Sequence, residues 1–274
     1  MALKNKVTTA LLTDVGRLRK NNEDAIAEDP ELGLLVLADG MGGYNAGEIA
    51  SGIAITTVLD QVKRDWHSLK HGALDPASGY CAEGLLLRSA IENANATIKQ
   101  VAQSQPQCAG MGTTIVCCIL HEAVLSIAYV GDSRLYRYRD GHLEQITRDH
   151  SLVEELIARG HYSREDATRL VRKNIVTRAL GVEDRVQVDI IEETLETGDI
   201  LLLCSDGLND MVDDETIGLT LGKYADSVEL AGKALINHAL ENGGKDNVSI
   251  VLARVDTALT SRGWRWFDRL MEWF

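Results

Sequence analysis

Short apolar runs bounded by Gly, Asp, Asn and Ser punctuate most of the chain, and that pattern reads as strands. Residues 7–13 (VTTALLT) and 33–38 (GLLVLA) are the first two. Helical spacing takes over at 46–64, where Ile49, Ile53 and Val58 lie near one face. It returns at 81–103, with Leu86, Ala90, Ala94, Ile98 and Val101 on one stripe. Strands resume with TTIVCCIL, AVLSIAYV and RLYRYRD. Their joints, HEA and GDS, are short and predict antiparallel hairpins. Residues 149–180 are mixed, with a helix over 151–159. VQVDIIEE and DILLLCSD then read as strands, 213–242 as mostly helical, and NVSIVLARV as a closing strand. Strands occur in groups with helix pairs between them. The expected fold is therefore α+β, a sheet sandwich with helices outside, and not a regular βαβ alternation.

Composition narrows the class more than the activity. A chain of 274 residues suits one large domain or two small ones. Apolar content of 45% and charged content of 25% are those of a soluble globular protein. No apolar run reaches the roughly 20 residues needed to span a bilayer. The opening MALKNKVTTALL lacks a signal-peptide core, so a cytoplasmic protein is expected. A net charge of −13 argues against nucleic acid as a partner. The five cysteines are odd in number, show no C-x-x-C spacing and read as reduced core residues.

The stretch ADGMGGYNAGE follows the second strand and has two readings, a phosphate-cradling loop or a strand end delivering a carboxylate. The dinucleotide pattern needs a third glycine where Asn45 stands, and no G-K-[ST] follows for a P-loop. An EF-hand loop fails too, because Asp39 lacks the alternating acidic partners. The carboxylate reading gains from recurrence. Asp39, Asp132, Asp206 and Asp246 each sit at the edge of an apolar run. Four like charges aimed at one point would repel unless cations neutralised them, and ligands of oxygen alone favour Mg²⁺ or Mn²⁺. A lone Asp-Gly is ordinarily a turn, and spacing does not show that the four converge.

Seven motifs occur in order: TDVGRLRKNNED, ADGMGG with a following GE, GMGTT, VGDSRLYRYRDG, TRDHS, GDILLLCSDGL and GGKDNVSI. Together they resemble the metal-dependent protein serine/threonine phosphatases of type 2C in their compact bacterial form, over about residues 8–255. The resemblance implies an antiparallel β-sandwich flanked by pairs of α-helices, with a site for two Mn²⁺ or Mg²⁺ ions at one end. It implies a catalytic domain over 1–256, with 149–180 as a flap beside the site and 257–274 as an appended tail. By motif, Asp39 bridges both ions and the Gly40 carbonyl binds one. Asp206 and Asp246 complete the first ion's shell, Glu23 serves the second through water, and Asp132 matches a weaker third site. Arg19 matches the arginine that binds substrate phosphate, while Asp24 and Asn247 support the ligands. The implied partners are a phosphoprotein substrate and an opposing Ser/Thr kinase in bacterial signalling, for a monomer. Such a pair of ions can acidify a bridging water to near neutrality and aim it at phosphorus.

Other readings carry their own marks. A cysteine phosphatase needs C-x5-R, and Cys81 misses Arg88 by one residue. No D-x-D supplies a nucleophilic aspartate. A non-catalytic regulatory or scaffold module of the same fold would be expected to lack a metal carboxylate, and none is missing. One departure is Met41, where animal members carry a proton-donating histidine. His150 reads as a structural residue beside Asp149, and His161 as a residue able to touch substrate. Arg159, Arg164, Arg169, Arg172, Lys173 and Arg178 could steer an acidic phosphopeptide. Glu154, Glu155, Glu165 and Asp166 offset them, which also fits a solvated face. The tail RGWRWFDRLMEWF holds three of the four tryptophans and both phenylalanines. It suits a docked helix, a partner interface or a membrane surface contact.

Overall fold

The computed structural model describes residues 6–43, 46–160, 162, 166 and 175–259. Two antiparallel sheets lie face to face. The first carries β2 (Asp24–Asp29), β3 (Leu34–Met41), β5 (Ile115–His121), β6 (Val124–Val130) and β9 (Asp189–Thr194), in that order, with β4 (Gly112–Thr113) paired to the end of β3. The second runs β1 (Val7–Asp14), β11 (Val248–Val255), β10 (Ile200–Cys204), β7 (Arg134–Arg139) and β8 (His142–Gln145). Helices α1 (Ala46–Asp65) and α2 (Ala82–Ser104) cover the first sheet. Helix α3 (Leu152–Ala158) follows β8, and α4 (Asp206–Asn209) follows β10 directly. Helices α5 (Asp214–Lys223) and α6 (Val228–Glu241) cover the second sheet. The α+β sandwich expected from the pattern is the fold observed.

Period-two alternation explains why the central strands read as unbroken apolar runs. In β3, Leu34, Val36 and Ala38 face α1 and α2, while Leu35 and Leu37 enter the layer between the sheets. In β10, Ile200 and Leu202 face α5 and α6, while Leu201 and Leu203 enter that same middle layer. Each strand thus feeds two cores at once. All five cysteines are free and buried, as expected.

The helix boundaries hold, but the buried face of α1 differs from the one expected. Ala46, Ala50, Ala54, Val58 and Val62 are buried, and Ile49 is 40% exposed. Small residues let α1 lie close to the sheet and to α2, so alanine marks the inner face better than isoleucine. Two edge strands, β2 and β8, were not expected. DAIAED and HLEQ sit half in water and lack a core-facing run. The strand expected at 186 begins at Asp189.

The joint GDS is a correction. HEA closes a true hairpin, with β5 and β6 paired from Ile115↔Val130 to His121↔Val124. GDS does not: β6 and β7 belong to different sheets. Gly131 (φ +112°) turns the chain across the sandwich edge, and an added Cβ would run into Thr114. Only glycine accepts both that backbone region and that contact. The crossover leaves Asp132 buried at one end of the sandwich. We predict that Gly131→Ala lowers the urea-unfolding free energy by about 2–4 kcal/mol. Gly141→Ala, also left-handed (φ +84°) but facing open space, should cost about 1–2 kcal/mol. Equal costs at the two positions would contradict the crossover packing.

Candidate metal centre

Every acidic motif ends at the same edge of the sandwich. Asp39 lies near the end of β3 and pairs across the ladder with Asp24, the first residue of β2. Glu23 immediately precedes Asp24. In the second sheet, Asp206 opens α4 two residues after β10, and Asp246 stands two residues before β11. Cys204 pairs with both Arg134 and Ile250, which puts the end of β10 beside the starts of β7 and β11. Asp132 sits in the crossover just before β7.

Bonds between backbone and side chain fix these positions. Asn247 is a hub: its amide nitrogen donates to the Val15 and Asn21 carbonyls, at 2.9 Å each, and its oxygen accepts from the Glu23 amide at 2.8 Å. It thereby straps the loop carrying Arg19 and Glu23 onto the start of β11. Ser205 Oγ donates to Asp24 Oδ2 at 2.8 Å and accepts from the Ser249 amide at 3.0 Å, joining the two sheets. The Asp39 amide donates to Thr114 Oγ1, and the Asp39 carbonyl accepts from the Thr114 amide and Thr113 Oγ1. Thr114 Oγ1 also meets Ser133 Oγ at 2.7 Å, beside Asp132. The Gly40 amide donates to the Glu23 carbonyl at 3.1 Å, and Ser51 on α1 donates to that same carbonyl. Gly40 and Gly47 pack backbone to backbone, and a side chain on Gly47 would strike the Glu23 carboxylate. Thr114, Ser133, Ser205, Ser51 and Gly47 were not picked out in the sequence. Only the pairing of small polar residues with buried strand ends hints at them.

Electrostatics show how closely the carboxylates face one another. Burial pushes Asp39 well above the ordinary carboxylate range, and Asp24, Asp206, Asp132 and Asp246 push it further. Burial does the same to Asp206, with Asp132 and Asp246 adding to it. Asp132 is pushed up to about 6, first by burial and then by Asp149. Glu23 is raised by burial, partly offset by Arg19. Burial also raises Asp24, against hydrogen bonds from Ser249 and Ser205. Arg19 reaches over the cluster, 2.6 Å from Asp246 Oδ2, and that contact more than offsets the effect of its own burial.

The donor set fits hard divalent cations: oxygen throughout, several carboxylates, and a buried Asp24 Oδ1 with no hydrogen-bond partner among the described residues. Among the described residues, no three of these carboxylates bring oxygens within 4.8 Å of one another.

His150 is structural, as expected, though it works as a rivet. Its Nδ1 accepts from the Gly131 amide at 3.0 Å, and its Nε2 lies 3.2 Å from both Asp189 Oδ2 and Arg178 Nη1. Its ring stacks on Tyr129 with centroids 5.0 Å apart. The base of the 149–180 segment is fastened at both ends. His150 bonds Gly131, and Leu180 exchanges both backbone bonds with Thr113. Arg178 pairs with Asp189 at 2.7 Å and Arg159 with Glu155 at 3.3 Å, which favours the structural reading for these two. His161, Arg164, Glu165, Arg169, Arg172, Lys173 and the aromatic tail from residue 260 lie outside the described residues.

A family model for protein phosphatase 2C matches residues 17–242, and the chain belongs to that family. It is similar to the serine/threonine phosphatase stp of Listeria monocytogenes, 39% identical over 92% of this chain and 96% of that protein. It also resembles the serine/threonine protein phosphatase PstP of Mycobacterium tuberculosis, 36% identical over 90% of this chain and 44% of the longer relative. The crystal structure of PstP superposes with a TM-score of 0.80 at 35% identity, covering 92% of this chain and all of that one. The PstP catalytic domain in complex with two manganese ions gives 0.76 at 35% identity, over 92% and 99%. PppA, a regulatory component of the type VI secretion system in Pseudomonas aeruginosa, gives 0.75 at 33% identity, over 91% and 98%.

The raised carboxylates set a pH dependence. A group whose pKa is higher in the folded chain holds its proton longer there, so its stabilising effect is present below pH 4 and lost as pH rises through the folded value. Ionising Asp132 at neutral pH costs the fold about 3 kcal/mol. We therefore expect the Tm of EDTA-treated protein to fall by several degrees between pH 5 and 7.5, and Mn²⁺ to restore it most at the higher pH. Asp39→Asn should raise the metal-free Tm at pH 7.5 and flatten the slope. A flat or rising profile for the metal-free wild type would contradict the crowding of these carboxylates.

Proposed function

We propose that this protein is a metal-dependent phosphatase that removes phosphate from phosphoserine and phosphothreonine in other proteins. One observation carries the reading: carboxylates from five separate segments crowd one end of the sandwich, where Arg19 pairs with Asp246. Asp39 would bridge two Mg²⁺ or Mn²⁺ ions, with the Gly40 carbonyl, Asp206 and Asp246 on one and Glu23 on the other. Asp132 would hold a weaker third. The two-manganese complex of the PstP catalytic domain supports a site for two ions. Bound ions of this kind supply Lewis acidity and a water molecule acidified to near neutrality.

The chain's own residues do the rest. Thr113, Thr114 and the Gly40–Gly47 contact hold Asp39 and Gly40 rigid, so ligand geometry is set before substrate arrives. Arg19 offers a planar fork that phosphate oxygens fit in bidentate fashion, in competition with Asp246. The Cys81 and Cys204 thiols make poor nucleophiles, since burial pushes both up to about 12. Met41 has no proton to give the leaving oxygen, and the His150 ring is held between the Gly131 amide and Asp189. Residues 1–256 form the catalytic domain in this reading, and 257–274 an appended tail. It includes an opposing Ser/Thr kinase, a monomeric chain and a cytoplasmic setting. Among the described residues no helix is long and apolar enough to cross a membrane.

Asp206→Asn should abolish phosphate release from a phosphothreonine peptide with Mn²⁺ while the circular dichroism spectrum stays that of the wild type. Full activity in that variant, or activity undiminished by EDTA, would overturn the assignment. Arg19→Ala should raise KM for the peptide about tenfold or more, the scale of one lost charge-assisted contact. An unchanged KM and kcat would remove Arg19 from the site.

A further inference from the structure

A second cluster of ligand-type side chains stands far from the acidic edge. Among the described residues it is the one group of three whose donor atoms lie within 4.8 Å of one another: His71, Glu83 and His121. His121 ends β5, whereas Thr114, which bonds Asp39, precedes that strand. At about 3.3 Å per residue the seven steps between them span about 23 Å, so the cluster lies toward the opposite end of the sandwich. His71 is in the connection between α1 and α2, and Glu83 in the first turn of α2.

The arrangement is that of a built site. His71 Nδ1 and His121 Nε2 both turn toward Glu83 Oε1, at 3.1 and 3.9 Å. These separations bracket the roughly 3.3 Å edge of a tetrahedron with metal–ligand bonds of about 2.0 Å. The two imidazoles stack with centroids 4.7 Å apart, and Trp66 packs against both, at 4.4 and 5.9 Å. Glu83 is 2% exposed, and the Gly72 amide reaches both its oxygens, at 3.0 and 3.2 Å. A backbone donor that orients a ligating carboxylate is what metal sites use to hold their ligands in place. Two neutral imidazoles and a carboxylate suit borderline cations such as zinc, in contrast to the oxygen-only set at the other end. His71, 31% exposed, leaves the fourth position within reach of water.

We propose that His71, Glu83 and His121 bind one zinc-class transition-metal cation. The ion joins the α1–α2 connection and the start of α2, already bridged at Leu74 and Cys81, to the tip of the β5–β6 hairpin. It needs none of the acidic cluster's residues, so its fate is independent of the catalytic reading.

The test uses the full chain, stripped with chelator, given Zn²⁺ and dialysed against a large excess of Mg²⁺, which competes for oxygen ligands and poorly for imidazole. Wild type should retain one more equivalent of zinc than His71→Ala or His121→Ala, by atomic emission. Zinc should raise the Tm of wild type by several degrees more than that of either variant, and Mn²⁺-dependent phosphate release should be unchanged in both. Equal zinc retention by wild type and the folded variants overturns the proposal, as does no retained zinc in wild type. If both variants misfold, Co²⁺ bound to wild type under the same Mg²⁺ decides. Intense visible bands of low-coordinate, nitrogen-ligated cobalt support the site, and only the weak bands of six-coordinate oxygen ligation overturn it.

Discussion

Repulsion among half-buried carboxylates is the constraint around which the acidic end of the sandwich is organised. Burial raises the cost of ionising Asp24, Asp39, Asp132 and Asp206, and neighbouring carboxylates, Asp246 among them, raise it further. A flexible scaffold would relax by turning those side chains out to water. This one has little freedom to do so, because each carboxylate is carried on backbone already committed to a ladder, a crossover or a hydrogen-bonded hub. The three apolar layers provide the holding force: each central strand packs on both faces, and that burial outweighs the strain stored at its tip. What remains is a preorganised demand for positive charge, of which Arg19 satisfies a part.

Much of this was legible in the sequence, for a specific reason. Strands that feed two cores read as continuous apolar runs, and a charged residue at the end of such a run stands out. Asp39, Asp206 and Asp246 were singled out that way, and the order of motifs added Glu23 and Arg19. The edge strands β2 and β8 were not legible, because half-exposed strands carry no apolar signal. Nor was the GDS crossover, since a short polar joint looks the same whether it folds a hairpin or changes sheets. Small residues misled the reading of α1, where alanine lines the inner face and Ile49 the outer. Thr114, Ser133 and Ser205 escaped notice because their work is done with single hydroxyls across distant segments. The histidine cluster escaped for the same reason, its members being scattered over two connections and a strand end.

The two ends of the molecule differ in chemistry in a way that suits different ions. One offers only oxygen, crowded and anionic. The other offers two imidazoles and one carboxylate oriented by a backbone amide. Ligand type thus sorts hard from borderline cations within one chain, and the sheets keep the two sites from sharing ligands.

The fastening of the 149–180 segment couples it to the acidic end of the sandwich. His150 is bonded to Gly131 and Leu180 to Thr113, so both stems are anchored on backbone that positions Asp132 and Asp39. A substitution that loosens either stem would reach those carboxylates through the main chain, whereas one that leaves both stems bonded would not.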